Sequence, residues 1–275
     1  MMKAVALALG AGGARGLAHI AVLEALDDLG VKPVAIAGSS AGALIGAAYA
    51  AGMTGKEIRR YVLSLAHDRG EVFTRMLAAR SGGWVDLVAS GIGSSAAIDA
   101  EKFCQQFLPE IIPDDFDKLP IPLTVVASDL YRRQPVALAS GALKPAVAAS
   151  IALPGLIRPV VIDDRVLVDG GATNPLPFDL VRGRDIITIA VDVAGEPSAE
   201  RRDVPSAWEC VYTTVLVMAH TIISEKLKHG APDLLIRPKV GIFRTLDFLQ
   251  ASAILRAAEP IKNEVKERLG ALLEN

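Results

Sequence analysis

A serine inside a glycine-flanked pentapeptide is the residue of this chain best placed to act as a nucleophile. The pentapeptide Gly38-Ser39-Ser40-Ala41-Gly42 follows an apolar strand, Val34 to Ala37, and precedes a helix-forming stretch, Ala43 to Ala51. A G-x-S-x-G sequence between a strand and a helix forms a sharp turn that exposes the serine hydroxyl. The pattern therefore predicts attack of the Ser40 hydroxyl on a carbonyl carbon.

A glycine-rich loop near the start of the chain could supply the hydrogen-bond donors for such a reaction. The loop, Gly10 to Gly16, leaves the first predicted strand and enters a helix. Its backbone N–H groups and the positive end of the helix dipole then point into one concavity. Ala41, which follows the serine, offers a further N–H group. These donors predict an oxyanion site beside Ser40.

The same loop has a second interpretation, because Gly10-x-Gly12 also begins the dinucleotide-binding pattern G-x-G-x-x-G. The third glycine of that pattern would fall on Arg15, and no acidic residue ends the second strand. Both features are expected of a dinucleotide site. The two mismatches make nucleotide binding the weaker interpretation.

The four histidines do not supply a convincing general base. His220 satisfies the order Ser, Asp, His of α/β-hydrolases, but it falls inside an apolar helix and not on a loop after a late strand. His19 lies in the first helix, where a hydrogen-bonded structural role is expected. The other two histidines, His67 and His229, are at helix ends.

An aspartate in a glycine-rich turn is the alternative base. Asp169-Gly170-Gly171 directly follows the strand Val166 to Val168. A carboxylate can deprotonate a serine if burial raises its pKa toward neutrality and the two groups are within hydrogen-bond distance. An aspartate in such a turn can equally cap its own backbone. From the residues alone, both roles of Asp169 remain open.

Strands and helices alternate around these residues, which predicts an α/β fold with a mainly parallel sheet. The predicted strands are Lys3–Leu9, Val34–Ala37, Leu123–Ser128, Val136–Ala139, Val160–Ile162, Val166–Val168 and, last, Ile186–Val193. The main predicted helices are Leu17–Leu29, Ala43–Ala51, two stretches within Thr54–Arg80, Asp99–Leu108, Lys144–Ile151, Ser206–Lys228 and Ala251–Leu273. A Gly/Ser-rich loop, Ser81–Ser95, and a linker, Glu196–Pro205, interrupt the pattern.

The composition fits one large domain. Of 275 residues, 51% are hydrophobic and 22% charged, enough for a substantial core. We assign residues 1–275 to a single domain with a core at 3–193 and C-terminal helices at 206–275 that pack on the core or cap it. The net charge of −2 argues against a nucleic-acid partner. Cys104 and Cys210 lack C-x-x-C spacing and are predicted to be buried free thiols.

The apolar segments do not predict a membrane span. Val211 to Ile223 is interrupted by threonines and a histidine and is too short to cross a bilayer. The start of the chain is better explained as a strand than as a signal peptide. We therefore expect a cytoplasmic protein that is at most peripheral at a membrane. Trp84 and the helix Trp208 to Ile223 are candidate surfaces for transient contact with a bilayer.

Four sequence blocks occur in the order found in the patatin-like phospholipase family, and the chain resembles bacterial members of that family related to neuropathy target esterase. The blocks are A-G-G-A-R-G at 11–16, G-S-S-A-G at 38–42, A-S-I-A-L-P at 149–154 and D-G-G at 169–171. The resemblance covers about Lys3 to Val193. It implies a three-layer α/β/α fold with a mainly parallel central sheet.

The resemblance also implies roles for individual residues. Ser40 and Asp169 would form a catalytic dyad without histidine, and Gly12 and Gly13 would donate N–H groups to the oxyanion. Arg15 would brace the glycine loop or face the acyl or phosphate group of the substrate.

Two further positions follow from the same resemblance. The block that ends at Pro154 would shape the wall beside the dyad. Ala11 stands where the family has the first of three glycines, which leaves its N–H without a clear part in the oxyanion site.

The implied reaction is hydrolysis of a lipid or other acyl ester, with no metal or organic cofactor. A phospholipase A or lysophospholipase is the leading expectation. An esterase or thioesterase acting on small acyl esters is one alternative, and a non-catalytic lipid-binding regulatory protein on the same scaffold is another.

Overall fold

A central sheet between helices organises the computed structural model, which describes residues 3–67, 69–79, 98–195, 204 and 207–274. The strands are β1 (Ala4–Leu9), β2 (Ala35–Ser39), β3 (Leu123–Asp129), β4 (Gln134–Leu138), β5 (Val160–Ile162), β6 (Arg165–Asp169), β7 (Ile186–Val191) and β8 (Leu234–Ile236). Strands β3, β2, β1, β7 and β8 are neighbours in that order and all run parallel. The mainly parallel sheet confirms the predicted α/β class.

Helices connect and cover these strands. In the described part of the chain they are α1 (His19–Asp28), α2 (Ala41–Ala50), α3 (Gly55–His67), α4 (Arg69–Ala78), α5 (Ala100–Phe107), α6 (Leu143–Ser150), α7 (Ala207–Lys228), α8 (Ala251–Ala258) and α9 (Ile261–Glu274). A 3₁₀ turn, Gly13–Ala18, precedes α1. The C-terminal helices pack on this body: α9 lies against α1, and Lys262 Nζ is 2.5 Å from the buried Glu24 carboxylate.

The sheet has a hydrophobic cluster on each face. Leu7 and Leu9 of β1 belong to the larger cluster, together with residues of α1, α2 and α9. Ala6 and Ala8 belong to a second cluster that includes Phe178 and Ile223. Because successive strand residues point to opposite faces, β1 is covered on both sides. This burial explains the unbroken apolar run from which β1 was predicted.

The antiparallel strands gather around β3. Strand β4 pairs with residues 125–129 of β3 and so occupies one edge of that strand. The other edge is shared: β2 pairs along residues 123–126, and β6 pairs along residues 127–129 in the opposite direction. The C-terminal ends of β2 and β6 therefore meet on the same edge of β3.

Three expectations from the sequence were wrong. Ile186–Val193 is not the last strand, because Leu234–Ile236 forms β8 beside β7. The predicted helix Ala251–Leu273 is two helices, since Pro260 lies between α8 and α9 and lacks the N–H that a continuous helix needs. Cys104 is buried as expected, but Cys210 is exposed on α7.

Some sequence predictions fall outside the described residues. The Gly/Ser-rich loop with Trp84 does so, and so does nearly all of the predicted linker at 196–205. Of Trp208 the structure describes the backbone, within α7. Among the described residues, no helix is both long enough and apolar enough to cross a bilayer.

Candidate active site

The turn between β2 and α2 presents the Ser40 side chain at the C-terminal edge of the sheet. Ser40 has φ +54° and ψ −122°, a conformation that a non-glycine residue rarely adopts. The turn is also tightly packed: a Cβ atom at Gly42 would lie 2.1 Å from the Leu9 carbonyl oxygen. The small residues of the pentapeptide therefore permit a strained turn, as is common at functional sites.

Asp169 reaches Ser40 because of the shared edge of β3. Ser39 pairs with Val126, and Asp169 pairs with the next residue, Ala127. The chain after Asp169 then passes over the β3 backbone, where a Cβ atom at Gly170 would lie 2.1 Å from the Val126 carbonyl oxygen. The first glycine of the D-G-G turn is thus required by close packing, and two side chains 129 positions apart are brought together.

The two side chains are in direct contact. Ser40 Oγ donates a hydrogen bond of 2.7 Å to Asp169 Oδ2. The other carboxylate oxygen, Oδ1, accepts a 2.8 Å bond from the Gly171 N–H. Ser128 Oγ donates to the Asp169 carbonyl oxygen at 2.8 Å, which fixes the backbone of the turn. The carboxylate both caps its own turn and bonds the serine, so the two roles left open by the sequence are combined.

Burial changes the acidity of this carboxyl group. Asp169 is only 7% exposed, and desolvation raises its pKa from 3.8 to about 6, against the opposing effect of the bonds from Ser40 and Gly171. A buried carboxylate with a pKa near neutrality is a stronger base than an exposed one. No imidazole stands between the hydroxyl and the carboxylate.

Backbone contacts decide which N–H groups of the glycine loop are engaged. The Ala11 N–H donates to the Pro175 carbonyl oxygen at 2.8 Å, and the Ala14 N–H donates to that of Thr245 at 2.8 Å. Within the described ranges, no acceptor lies on the N–H of Gly12 or Gly13. Gly12 and Gly13 are the two positions at which the family resemblance implied oxyanion donors, whereas the Ala11 N–H is engaged by the Pro175 carbonyl oxygen.

The conformation of the loop requires glycine at position 13. Gly13 has φ +57°, and a Cβ atom there would lie 2.3 Å from the Thr245 carbonyl oxygen. The loop is thus pressed against residues just before α8. No sequence motif indicated this contact.

Arg15 braces the glycine loop against the same C-terminal stretch. Its Nε donates to the Phe243 carbonyl oxygen at 2.7 Å, and its Nη atoms donate to the carbonyl oxygens of Ala194 and Gly241. Of the two roles implied by the resemblance, these contacts correspond to bracing.

The block at 149–154 contacts the dyad through residues other than its proline. Ser150 Oγ accepts a 2.8 Å bond from the Ser40 N–H and donates a 2.6 Å bond to the Val126 carbonyl oxygen. The Ala152 carbonyl oxygen accepts from the Asp169 N–H at 3.0 Å. Pro154 is exposed. Ser150 was not predicted individually, although it lies within the quoted block.

The histidines lie in other environments. His19 is fully buried, and its Nε2 is 2.8 Å from the Gly10 carbonyl oxygen at the start of the glycine loop. Desolvation lowers its pKa to about 4, so the imidazole is neutral and donates to that carbonyl. His220 is exposed on α7.

Comparison with known proteins agrees with this architecture. The family profile described as patatin-like phospholipase matches residues 7–182. An NTE family protein of Mycobacterium tuberculosis is 40% identical over 200 residues, which cover 72% of this chain and 51% of the relative. Patatin-like phospholipase domain-containing protein 7 of Rattus norvegicus is 28% identical over 272 residues, which cover 90% of this chain and 19% of that protein. The chain belongs to the patatin-like phospholipase family.

Solved structures share the fold. VipD from Legionella pneumophila superposes with a TM-score of 0.55 at 14% identity, covering 97% of this chain and 67% of VipD. ExoU of Pseudomonas aeruginosa, in complex with SpcU, gives a TM-score of 0.51 at 14% identity, covering 100% of this chain and 53% of that one. The chain spans about half the length of the 40% identical Mycobacterium tuberculosis relative.

Proposed function

We propose that the chain is a serine acyl hydrolase that cleaves carboxylic ester bonds of lipids, as a phospholipase A or lysophospholipase does. One observation carries the proposal: the Ser40 hydroxyl donates directly to a buried carboxylate whose pKa is raised to about 6. Membership of the patatin-like phospholipase family supports a lipid ester as the substrate.

The first step is acylation of Ser40. Asp169 Oδ2 takes the hydroxyl proton as Oγ attacks the ester carbonyl carbon. The N–H groups of Gly12, Gly13 and Ala41 donate hydrogen bonds to the carbonyl oxygen as it becomes negatively charged. When the tetrahedral intermediate collapses, the proton on Asp169 passes to the leaving alcohol, and the acyl group remains on Ser40.

The second step is hydrolysis of the acyl-enzyme. Asp169 is again ionised and takes a proton from an incoming water, whose oxygen attacks the acyl carbon. The carboxylic acid leaves as the proton returns to Ser40 Oγ. The same donors serve both steps because the oxyanion forms in the same position.

The test is hydrolysis by purified protein of p-nitrophenyl butyrate, a matching thioester, a lysophospholipid and a diacyl phospholipid. We expect release of fatty acid from at least one phospholipid and its loss in Ser40→Ala. The matched control is Ser39→Ala, which removes the neighbouring hydroxyl and should retain activity.

Other outcomes would assign a different function. Activity on the small ester or thioester alone would indicate one of the narrower alternatives. Lipid binding without any hydrolysis would indicate a non-catalytic protein on this scaffold.

A further inference from the structure

Exposed apolar side chains are concentrated in the stretch that follows β8. We call residues 237–249 the docking segment. Within it Ile242 is 81% exposed, Phe248 53%, Leu249 64% and Leu246 40%. Isolated exposed apolar residues are ordinary on a protein surface, but a group within a few positions marks an interaction site.

The buried side of the docking segment holds it in place. Val240 is fully buried and Phe243 is 8% exposed, and both belong to the main hydrophobic cluster. Ile242 lies between these two buried residues, and the other three exposed residues lie between Phe243 and the buried Ala251 at the start of α8. The apolar group is presented on a fixed surface.

The same segment contacts the glycine loop. The carbonyl oxygens of Gly241 and Phe243 accept from the Arg15 guanidinium, and that of Thr245 accepts from the Ala14 N–H. A surface that binds the docking segment would consequently lie beside the proposed oxyanion donors.

A second exposed apolar group lies beside the other half of the site. Helix α7 packs against the 3₁₀ turn Gly170–Ala172 that follows Asp169. On this helix Val217 is 60% exposed, Met218 50% and Val211 49%. Exposed apolar side chains therefore occur on both elements that flank the site: the docking segment, which contacts the glycine loop, and α7, which contacts the turn after Asp169.

The charge of the docking segment indicates what kind of surface it fits. Its basic residues are Arg237, Lys239 and Arg244, all exposed, and its single acidic residue is Asp247. Arg237 already pairs with Asp192, whose Oδ2 lies 3.2 Å from its Nε, so the basic character of the segment comes mainly from Lys239 and Arg244. The Asp247 carboxylate accepts from the Arg244 backbone N–H at 2.7 Å. This basic segment belongs to a chain whose net charge is −2. Apolar side chains flanked by basic ones match the acyl and anionic headgroup layers of a phospholipid surface.

We propose that the docking segment binds an anionic phospholipid bilayer, with Ile242, Phe248 and Leu249 inserted at the boundary of headgroups and acyl chains. This inference rests on the proposed function, because it identifies the substrate of Ser40 as a lipid ester held in a bilayer. Binding in this orientation brings a lipid ester to the donor loop without its passage through bulk water.

Binding is measured by co-sedimentation with vesicles of phosphatidylcholine and phosphatidylglycerol in equal parts. All proteins carry Ser40→Ala, which keeps the vesicles intact. The triple variant Ile242→Ser, Phe248→Ser, Leu249→Ser should bind at least about 10-fold more weakly. The matched control Val34→Ser, Leu77→Ser, Ile111→Ser removes exposed apolar residues elsewhere and should bind like the parent protein.

The electrostatic part is tested with Lys239→Gln. Binding to the mixed vesicles should weaken by about fivefold, and binding to vesicles of phosphatidylcholine alone should not change. Unchanged binding of the triple variant, or failure of the parent protein to bind the mixed vesicles, would overturn the proposal. A dimer that the triple variant converts to a monomer in sedimentation velocity would also overturn it, since the surface would then join two copies of the chain.

A kinetic measurement separates this inference from the proposed function. With Ser40 intact, the triple variant should hydrolyse soluble p-nitrophenyl butyrate at the parent rate and vesicle phospholipid at least about 10-fold more slowly. Equal loss on both substrates would contradict docking. If the parent protein binds vesicles through the segment but hydrolyses neither substrate, the proposed function fails and the docking surface stands.

Discussion

The two halves of the candidate site are held in different ways. Ser40 and Asp169 are held by strand ends that meet on one edge of β3 and by contacts between the sequence blocks. The glycine loop is held by the docking segment, in which Phe243 lies 228 positions after Arg15 and accepts its hydrogen bond. The comparison indicates that the proposed nucleophile and base are positioned by the sheet and by residues of the sequence blocks, whereas the proposed donor loop depends on packing by the C-terminal region.

Removing the base should have the largest effect. Asp169→Asn keeps the shape of the side chain but cannot accept a proton, so kcat/KM for an ester should fall by about 10³ or more. His220→Ala should leave kcat/KM unchanged, because the imidazole is exposed on α7. Steady-state kinetics on both variants checks this prediction, and retention of activity by Asp169→Asn would remove the carboxylate from the mechanism.

The same substitution should stabilise the fold at alkaline pH. The pKa of Asp169 is about 6 in the folded state and near 4 when unfolded, so ionisation costs the folded state up to about 3 kcal/mol. This cost is complete above pH 6 and absent below the unfolded pKa. Asp169→Asn should therefore unfold at a higher temperature than the parent protein at pH 8. Equal stability of the two proteins at pH 8 would contradict the raised pKa.

Displacing the donor loop should have the next largest effect. In Gly13→Ala the added Cβ meets the Thr245 carbonyl oxygen, so the N–H donors shift and kcat should fall by about 10² to 10³. Gly141→Ala is the matched control, since Gly141 also has positive φ but open space around its Cβ position. A normal kcat for Gly13→Ala would show that the loop takes no part in the reaction.

Loosening the loop without changing a proposed donor residue should have a smaller effect. Arg15→Met removes the bonds to the carbonyl oxygens of Ala194, Gly241 and Phe243, and kcat should fall by about 10- to 100-fold. The apparent pKa of kcat/KM should stay about 6, because Asp169 is untouched. Partial recovery in Arg15→Lys would support the bracing role, and a shifted pH profile would contradict it.

Two fully buried hydroxyl groups, those of Ser150 and Ser39, offer the finest comparison. Ser150→Ala removes the acceptor of the Ser40 N–H and should lower the free energy of unfolding by about 1 to 3 kcal/mol. Ser39→Ala removes a buried hydroxyl for which no hydrogen-bond partner is found in the described part of the chain, and it should be neutral or stabilising. Urea unfolding of both variants measures the difference. Equal losses would mean that the Ser150 bond adds no stability.

The sequence predicts the part of the site that is built from short motifs, namely Ser40 and Asp169. The turn at Ser40 is encoded locally, because small residues between an apolar strand and a helix permit the sharp turn that larger residues would block. The pairing of Asp169 with Ser40 followed from the order of blocks in the family. The geometric reason, two strands meeting on one edge of β3, is a property of the sheet and not of any short segment.

The unpredicted part depends on long-range backbone contacts. The carbonyl oxygens that hold Arg15 are present at every position, so no residue type in the sequence identifies them. Strand β8 has only three residues and forms by pairing with β7. The break between α8 and α9 did have a local signal in Pro260.

Labelling of Ser40 by a fluorophosphonate tests most directly whether a carboxylate alone activates the serine. Intact protein, Asp169→Asn and His220→Ala are compared by peptide mass spectrometry over time and across pH. We predict labelling of Ser40 in the parent protein and in His220→Ala at the same rate, rising with pH through about 6, and little labelling in Asp169→Asn. Rapid labelling of Asp169→Asn together with loss of labelling in His220→Ala would contradict the Ser40–Asp169 dyad.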